Sequence, residues 1–446
     1  MFRVLLSIIC IFQFSIVLSN TNYTPKDSIA EDQHQKKTNR YGIGGTPIFA
    51  YDPDLGIRYG VVVNLFDFGD RSKFPDYFQY IYLRVFNSTK GSSHFSAIFD
   101  NHTLIPKTGL SLEATYINDT KLDFWGFNGL NSIYEYDYIN PDNLNYINNF
   151  YYAHRRSITR FSLNLRTKIN NSHWRILSGL SYLDYKIQDI DFKSQTPPNH
   201  NDGRPFIETT LYSQYIDWGV IRSNEATGGS HLNFLAGIAL DTRNNKINCT
   251  EGKWLETYFI GSFSDMENVN FLKHIISFRH YILFNKNKSV ITYRISSQQK
   301  IAGNIPFYSL ATYYDTRQNQ DGPGSAFTMR GVFRNRFAAD GYVLTNIEVR
   351  KNILNFRFMK LNWQTEISAF TDGILVTNQY EFDKSSIPDE YLETHFKTEN
   401  QKYHFTLGAG LYFIYNENNI MSVNLGYSQN SQIGILGLYV GSSFLF

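Results

Sequence analysis

The sequence predicts an all-β protein, specifically a transmembrane antiparallel β-barrel of about sixteen strands. Three observations lead to this prediction. Segments with period-two hydrophobic alternation recur along the chain, at about the ten-residue length that a tilted membrane strand needs. The mature chain has no run of about 18 apolar residues, which excludes helical membrane spans. Aromatic residues make up 16% of the chain, and barrels of this class carry aromatic girdles at both membrane interfaces.

The alternation is clear in the segment YHFTLGAGLYFIY. Its odd positions, from Tyr403 to Tyr415, are all apolar, whereas its even positions include His404 and Gly410. The segments GIRYGVVVNL and HLNFLAGIALD follow the same pattern. Soluble antiparallel sheets also alternate, but their strands are commonly about five or six residues long. The longer repeats therefore favour a barrel with lipid outside and water inside.

The segment FMKLNWQTEISAFTD, residues 358–372, is interpreted as one further strand. Its odd positions run from Met359 to Ala369 and are mostly apolar, and they are assigned to the outside of the barrel. Its even positions place Phe370 and Asp372 together on the inside.

Short polar turns and long loops divide the strands. Short turns are predicted at residues 170–172, 285–288 and 416–419. Long loops are predicted near residues 118–152, 188–230, 302–339 and 376–402. Short turns at one end of a barrel and long loops at the other are typical of outer-membrane proteins.

The chain is divided into three parts. Residues 1–19 are predicted to be a signal peptide, because Arg3 precedes an apolar run of about 15 residues. Residues 20–45 are interpreted as a short polar N-terminal extension. Residues 46–446 are predicted to form the outer-membrane β-barrel domain, and the bacterial outer membrane is the expected location.

The last segment, GLYVGSSFLF, alternates and ends on an aromatic residue. Counting back by two from Phe446 places Phe444, Val440 and Leu438 on the same face, which is assigned to the outside. An extended strand with this ending resembles the C-terminal insertion signal of bacterial outer-membrane barrels, so Phe444 and Phe446 are the candidate signal residues. The alternative is an ordinary buried last strand.

Charge and motifs narrow the function classes. The chain has 42 basic and 40 acidic residues, a balance that argues against nucleic acid as a partner. No GxSxG elbow or other catalytic constellation is present. We therefore expect a protein that is not an enzyme, with no catalytic residues, no metal and no cofactor, whose partners include outer-membrane lipids.

A basic aromatic segment, FTMRGVFRNRFAADG, occupies residues 327–341. It contains Arg330, Arg334 and Arg336, and no acidic residue precedes Asp340. Three interpretations are open: a nucleic-acid patch, an exposed basic loop, or a loop that folds back into the protein.

Five segments, taken in order, resemble the BamA/TamA superfamily of outer-membrane β-barrel proteins (the bacterial surface antigen family). They are PIFAYDPDLGIRYG (47–60), LDTRNN (240–245), TMRGVFRNRF (328–337), NIEVR (346–350) and AFTDG (369–373). The resemblance runs over nearly the whole mature chain. It implies a sixteen-stranded outer-membrane barrel of a superfamily that comprises barrel-assembly insertases and two-partner secretion pores.

The resemblance also implies a site. The superfamily carries an Arg-Gly-x-aromatic tip on a loop that folds into the lumen, and here Arg330, Gly331 and Phe333 match that tip. It pairs the arginine with acids on the next two strands, which match Glu348 and Asp372. Phe370 matches the aromatic residue beside the second acid. Alternation independently places Glu348, Phe370 and Asp372 on the inside.

Two departures from the superfamily pattern affect the expected function. Ile374 replaces the glycine expected after the FxD element. Only about 25 residues separate the signal peptide from the first strand, too few for a further folded domain, so a member without the usual N-terminal periplasmic domains is expected.

The leading functional expectation is a factor that aids outer-membrane protein assembly or membrane biogenesis. It would act through a weak seam between the first and last strands, with edges at residues 46–51 and 434–446. Its partners would then include unfolded outer-membrane proteins. One alternative is a pore for protein secretion or solutes. Another is the barrel subunit of a complex with a separately encoded periplasmic partner.

Overall fold

The computed structural model confirms the predicted fold class. It describes residues 40–70, 77–194, 207–284, 289–358, 361–415 and 419–445. Within these ranges, sixteen strands form one closed antiparallel barrel, and two short strands form a separate two-stranded sheet. No helix in the described ranges combines the length and the apolar character needed to cross a bilayer.

The strands follow one another around the barrel in sequence order. They are β1 (Tyr41–Asp52), β2 (Gly56–Asp67), β3 (Gln79–Ser88), β4 (Ser92–Ile105), β5 (Thr108–Asp123), β6 (Ala153–Lys168), β7 (Trp174–Gln188), β8 (Gly228–Asp241), β9 (Gly252–Phe263), β10 (Phe271–Phe284), β11 (Ser289–Gly303), β12 (Thr312–Tyr313), β13 (Gln320–Asp321), β14 (Gly341–Phe358), β15 (Leu361–Asn378), β16 (His404–Tyr415), β17 (Asn419–Ser428) and β18 (Leu436–Gly441). The barrel omits β12 and β13, so β11 pairs with β14 and β18 closes against β1.

In the part of the chain that the structure describes, three short α-helices lie in the loops between strands. They are α1 (Leu211–Asp217), α2 (Phe307–Leu310) and α3 (Asp389–His395). Short 3-10 turns span Gly129–Asn131, Tyr136–Ile139 and Phe192–Ser194.

Alternation along the strands confirms the predicted inner and outer faces. On β2, Tyr59 is 52% exposed, and on β8, Phe234 is 48% exposed. Their sequence neighbours on the opposite face are less exposed, as Asn233 at 7% shows. Apolar side chains therefore cover the outside of the barrel, and polar side chains line the inside.

Antiparallel pairing places the long loops at one end of the barrel and the short turns at the other. The loops after β5, β7, β11 and β15 all lie at the first end, as predicted. Buried aromatic side chains from these loops form a cluster that we call the aromatic cap. Its members include Phe124, Trp125, Phe127, Tyr151, Tyr215, Trp218, Phe307, Tyr308, Tyr380 and Phe396.

Two boundaries differ from the sequence expectation. β1 begins at Tyr41, which pairs with Asp67 of β2, so the barrel starts before residue 46. The interpretation of residues 358–372 as one strand is wrong, because Phe358 ends β14 and pairs with Leu361, the first residue of β15. Directly paired residues share a face, so Phe358 and Leu361, three positions apart, show that the inside–outside parity changes at this turn. The sequence hid the change, because an apolar residue at position 359 extended the odd-numbered pattern and no Gly, Pro or Asn lies between the two strands. Met359 and the signal peptide, residues 1–19, lie outside the described residues.

A closed barrel with all strands paired should resist detergent until it is heated. We expect unboiled and boiled samples to migrate at different positions in SDS electrophoresis, because heating breaks the strand pairing that SDS alone does not. Circular dichroism of the unboiled protein should be dominated by strand. Equal mobility before and after boiling, or a largely helical spectrum, would contradict this fold.

Candidate functional site: the loop arginine and the β1–β18 seam

The loop between β11 and β14, residues 304–340, carries the candidate site. It contains α2, β12 and β13, and its side chains contact the inward faces of strands on several sides of the barrel. We refer to it as the β11–β14 loop.

Arg330 of this loop is 1% exposed and binds two acids. Its Nε and Nη2 donate to the two carboxylate oxygens of Asp372, at 2.9 and 3.1 Å. Its Nη1 donates to Glu348 at 3.0 Å and to Asn424 at 3.3 Å. The fork of one guanidinium thus joins β14, β15 and β17, a geometry that a lysine ammonium could not reproduce.

Phe370 and the Arg330 backbone complete this contact. The guanidinium carbon of Arg330 lies 3.2 Å from the centroid of the Phe370 ring, a cation–π arrangement. The backbone N–H of Arg330 also donates to Asp372, at 3.0 Å. The structure therefore brings Glu348, Phe370 and Asp372 together around the one arginine.

Gly331 lies where only a glycine fits. Its φ is +85°, and a Cβ added there would lie 2.8 Å from the backbone of Gly426 on β17. Its N–H donates to the hydroxyl of Tyr439 on β18 at 2.8 Å. The loop tip thus touches the last two strands of the barrel.

Phe333 and Arg336 connect the loop to the aromatic cap. The ring of Phe333 stacks on Trp125 with centroids 4.8 Å apart. Arg336 is fully buried, and its guanidinium donates to the carbonyls of Gly129, Ser132 and Gln432. No carboxylate of the described residues forms an ion pair with Arg336, and the sequence did not identify it as a bridging residue.

A second ion-pair network was not predicted from the sequence. Arg156 on β6 donates to Asp119 on β5 at 2.7 Å and to Asp321 of the loop at 2.9 Å. Arg334 also donates to Asp321. The two arginines and the two aspartates balance in charge. Residues 156 and 321 are far apart in sequence, so no local pattern marks the pair.

A third contact holds the tip of the hairpin formed by β12 and β13. Arg279 of β10 donates to Glu256 at 2.9 Å and to Asp315 of the loop at 2.7 Å. Arg317 also pairs with Asp315, at 3.0 Å. The loop is therefore fixed to three separate parts of the barrel wall.

The seam between β1 and β18 is short. β1 pairs with β2 at every position from Tyr41 to Asp52. Within the described residues its register with β18 is the single pair Tyr51–Val440. The predicted seam edges, 46–51 and 434–446, therefore meet over very little of their length.

The outward orientation predicted for Phe444 is wrong. Its side chain is 7% exposed, its ring lies 4.7 Å from that of Tyr412, and the Arg350 guanidinium lies 3.8 Å from its centroid. β18 ends at Gly441, so period two no longer sets the direction of Phe444. Leu438 within β18 does face outward, at 40% exposure. Phe446 lies outside the described residues, and the insertion signal stays a prediction.

Truncating either partner of the Arg330–Asp372 pair should weaken the fold. Both side chains are almost fully buried, and a stranded buried charge costs about 3–5 kcal/mol. We expect Arg330→Ala and Asp372→Ala each to lower the temperature of the SDS mobility shift and to raise protease cleavage between residues 313 and 340.

The double variant should lose less than the sum of the single losses, because the two residues interact. Arg330→Lys should restore only part of the stability. Arg357→Ala, at an exposed arginine, is the matched control and should change little. Strictly additive losses of stability would show that the side chains of Arg330 and Asp372 do not interact.

Asp54, in the turn between β1 and β2, should make stability pH-dependent. Burial and then the charge of Asp123 raise the pKa of Asp54 to about 7. Between pH about 4 and 7 the unfolded chain has lost this proton while the folded protein keeps it, so stability falls as pH rises through that window. Asp54→Asn should remove this loss.

The test compares the temperature of the SDS mobility shift at pH 4 and pH 8. Asp54→Asn should raise it at pH 8 and leave it nearly unchanged at pH 4. Asp142→Asn, at an exposed loop position, serves as the control. An equal effect of both substitutions at pH 8 would refute the assignment.

The fold is similar to solved barrels of known type. BamA from Haemophilus ducreyi lacking POTRA domains 1–3 matches with a TM-score of 0.54 and 14% identity, over 92% of this chain and 71% of that one. CdiB from Escherichia coli matches with a TM-score of 0.54 and 9% identity, over 91% of this chain. This chain spans 63% of the length of CdiB.

No protein-family model and no curated protein matches the chain. The likeness to BamA and CdiB agrees with the resemblance that the ordered sequence motifs predicted. The protein therefore has the sixteen-stranded barrel fold of BamA and CdiB.

Proposed function

We propose that the protein is a non-enzymatic barrel of the bacterial outer membrane that aids assembly of other outer-membrane proteins or membrane biogenesis. The single observation that carries the proposal is the seam, where β1 and β18 share one residue pair. The resemblance to a superfamily that includes barrel-assembly factors supports it, as does the barrel fold.

The seam provides a chemical mechanism for assembly. Backbone N–H and C=O groups without partners are costly in lipid, so a weakly paired edge favours binding of an incoming strand. On β1, Tyr41 and Ile43 are exposed and occupy alternate positions at the end of the strand farthest from Tyr51. Pro47 lacks an N–H donor, so the remaining donors and acceptors of this edge would form the template.

A pore for protein secretion or solutes is the second candidate. A cavity of about 500 Å³ inside the barrel, lined in part by arginines and aspartates, favours it. The aromatic cap and the β11–β14 loop oppose it, because both would have to move before a passage opened. A third possibility is that a separately encoded periplasmic partner binds at the short-turn end.

A disulfide across the seam tests the assembly mechanism. In a Cys249→Ser background, Tyr51→Cys and Val440→Cys would join the one paired position of the seam. We expect oxidation to reduce insertion of an unfolded outer-membrane protein into proteoliposomes to the rate seen without this protein. Reduction should restore the rate.

The matched control joins β17 and β18, which already pair over several residues. Leu425→Cys with Leu438→Cys links two directly paired positions and should leave insertion unchanged. If the oxidised seam variant inserts the substrate protein as fast as its reduced form does, the seam mechanism is refuted.

Ion conductance of the wild-type protein in a planar bilayer, together with loss of one cargo on depletion, would support a pore instead. Recovery of a periplasmic protein in a gentle detergent pull-down would support the third possibility.

A further inference from the structure

The cavity inside the barrel lies beside the seam. It measures about 500 Å³, and its wall includes β2, β3, β4, β6, the β11–β14 loop and both seam strands. Sites that hold small molecules in proteins usually enclose about 300–1,000 Å³. The cavity is therefore large enough for a ligand.

Three arginines from different strands reach this wall: Arg58 of β2, Arg84 of β3 and Arg160 of β6. The guanidinium carbons of Arg58 and Arg84 each lie 5.8 Å from the centroid of the Phe86 ring. In the strand register, Arg84 of β3 is paired with Ser96 of β4, and Ser96 is paired with Thr115 of β5. Thr115 is in turn paired with Arg160 of β6. Arg84 and Arg160 therefore stand at one level of the barrel, with only small hydroxyl side chains between them.

The three arginines of this wall differ in their partners. Arg58 lies 3.4 Å from Asp52, and Arg160 lies 2.6 Å from Glu113. Arg84 donates to Nε2 of the neutral acceptor His94 at 2.8 Å, and no carboxylate of the described residues forms an ion pair with it. Of these three arginines, Arg84 is thus the one without a carboxylate partner in the described residues.

The remaining arginines near the cavity are matched by acids. Arg334 pairs with Asp321, and Arg317 pairs with Asp315. Arg330 binds both Asp372 and Glu348. Arg84 is therefore the one cavity-lining arginine of the described residues that has no carboxylate partner.

We propose that this cavity binds a phosphate-class anion between Arg84 and Arg58. A guanidinium presents planar paired donors that fit phosphate oxygens. The anion is inorganic phosphate or the phosphate headgroup of a membrane lipid. A lipid would reach the cavity from the bilayer, because Tyr51 and Val440, the one paired position of the seam, also line it. Tyr82 and Phe327 of the same wall would pack against its apolar part.

Calorimetry on the full chain in detergent tests the shared chemistry. Inorganic phosphate should bind the wild-type protein, and Arg84→Gln should weaken binding by about tenfold, the loss expected for a charge-assisted donor. Arg58→Gln should weaken it in the same direction. Arg357→Gln, at an exposed arginine outside the cavity lining, should leave the affinity unchanged.

A second arm identifies the source of the anion. Protein reconstituted with phosphatidylglycerol or with phosphatidylcholine is exchanged into detergent, and the retained lipid is measured by native mass spectrometry. Selective retention of phosphatidylglycerol that Arg84→Gln abolishes assigns the site to a lipid headgroup. Binding of inorganic phosphate without lipid retention assigns it to the free ion.

The proposal is overturned if Arg84→Gln and Arg58→Gln keep wild-type binding in both arms, or if the wild type binds neither ligand. The SDS mobility shift shows which variants are folded. If Arg84→Gln does not fold, Arg84→Lys and Arg58→Gln replace it in both arms. Arg84→Lys keeps the positive charge but lacks the planar pair of guanidinium donors, so weaker binding by this variant supports the proposal. Since neither arm measures insertion, failure here leaves the seam mechanism untouched, and the reverse also holds.

Discussion

Closure of the sheet is the constraint on which the other features of this protein depend. Every strand of an antiparallel barrel must satisfy its backbone donors and acceptors on both sides, because lipid offers no partners. β1 and β2 meet this condition along the full length of β1. Where β18 closes against β1, the described residues contain a single paired position, Tyr51 with Val440. The cost of unsatisfied backbone groups is therefore concentrated at one position around the barrel, and the proposed assembly mechanism depends on that position.

Closure also creates an interior that has to be filled. The inward faces carry arginines and acids, and the β11–β14 loop supplies partners for several of them. Arg330 binds Asp372 and Glu348 from within the loop, whereas Asp321 and Asp315 of the loop bind Arg156 and Arg279 of the wall. Desolvation largely offsets the attraction in buried pairs, so these contacts fix the position of the loop more than they add stability. Among the cavity-lining arginines of the described residues Arg84 is the exception, since neither the wall nor the loop brings it an acid.

The loop and the seam are physically connected. Gly331 approaches the backbone of Gly426, and its N–H binds the hydroxyl of Tyr439 on β18. A side chain at either glycine would push the loop away from the last strands. The same β18 forms the weak join with β1. Movement of the loop tip would therefore displace β18 at the seam. It would also displace the aromatic cap, because Phe333 stacks on Trp125.

The sequence by itself determined the features that repeat locally. Period two assigned inner and outer faces, and with the resemblance it placed Glu348, Phe370 and Asp372 where Arg330 meets them. It failed at two places where the local pattern did not report the structure. The apolar pattern of residues 359–369 ran across the hairpin that joins Phe358 to Leu361, and Phe444 turned inward after β18 ended. The network of Arg334, Asp321 and Arg156 and the single pair at the seam were decided by tertiary structure alone. Alternation depends on neighbours along one strand, whereas these contacts depend on register around the closed sheet and on the path of a loop across it.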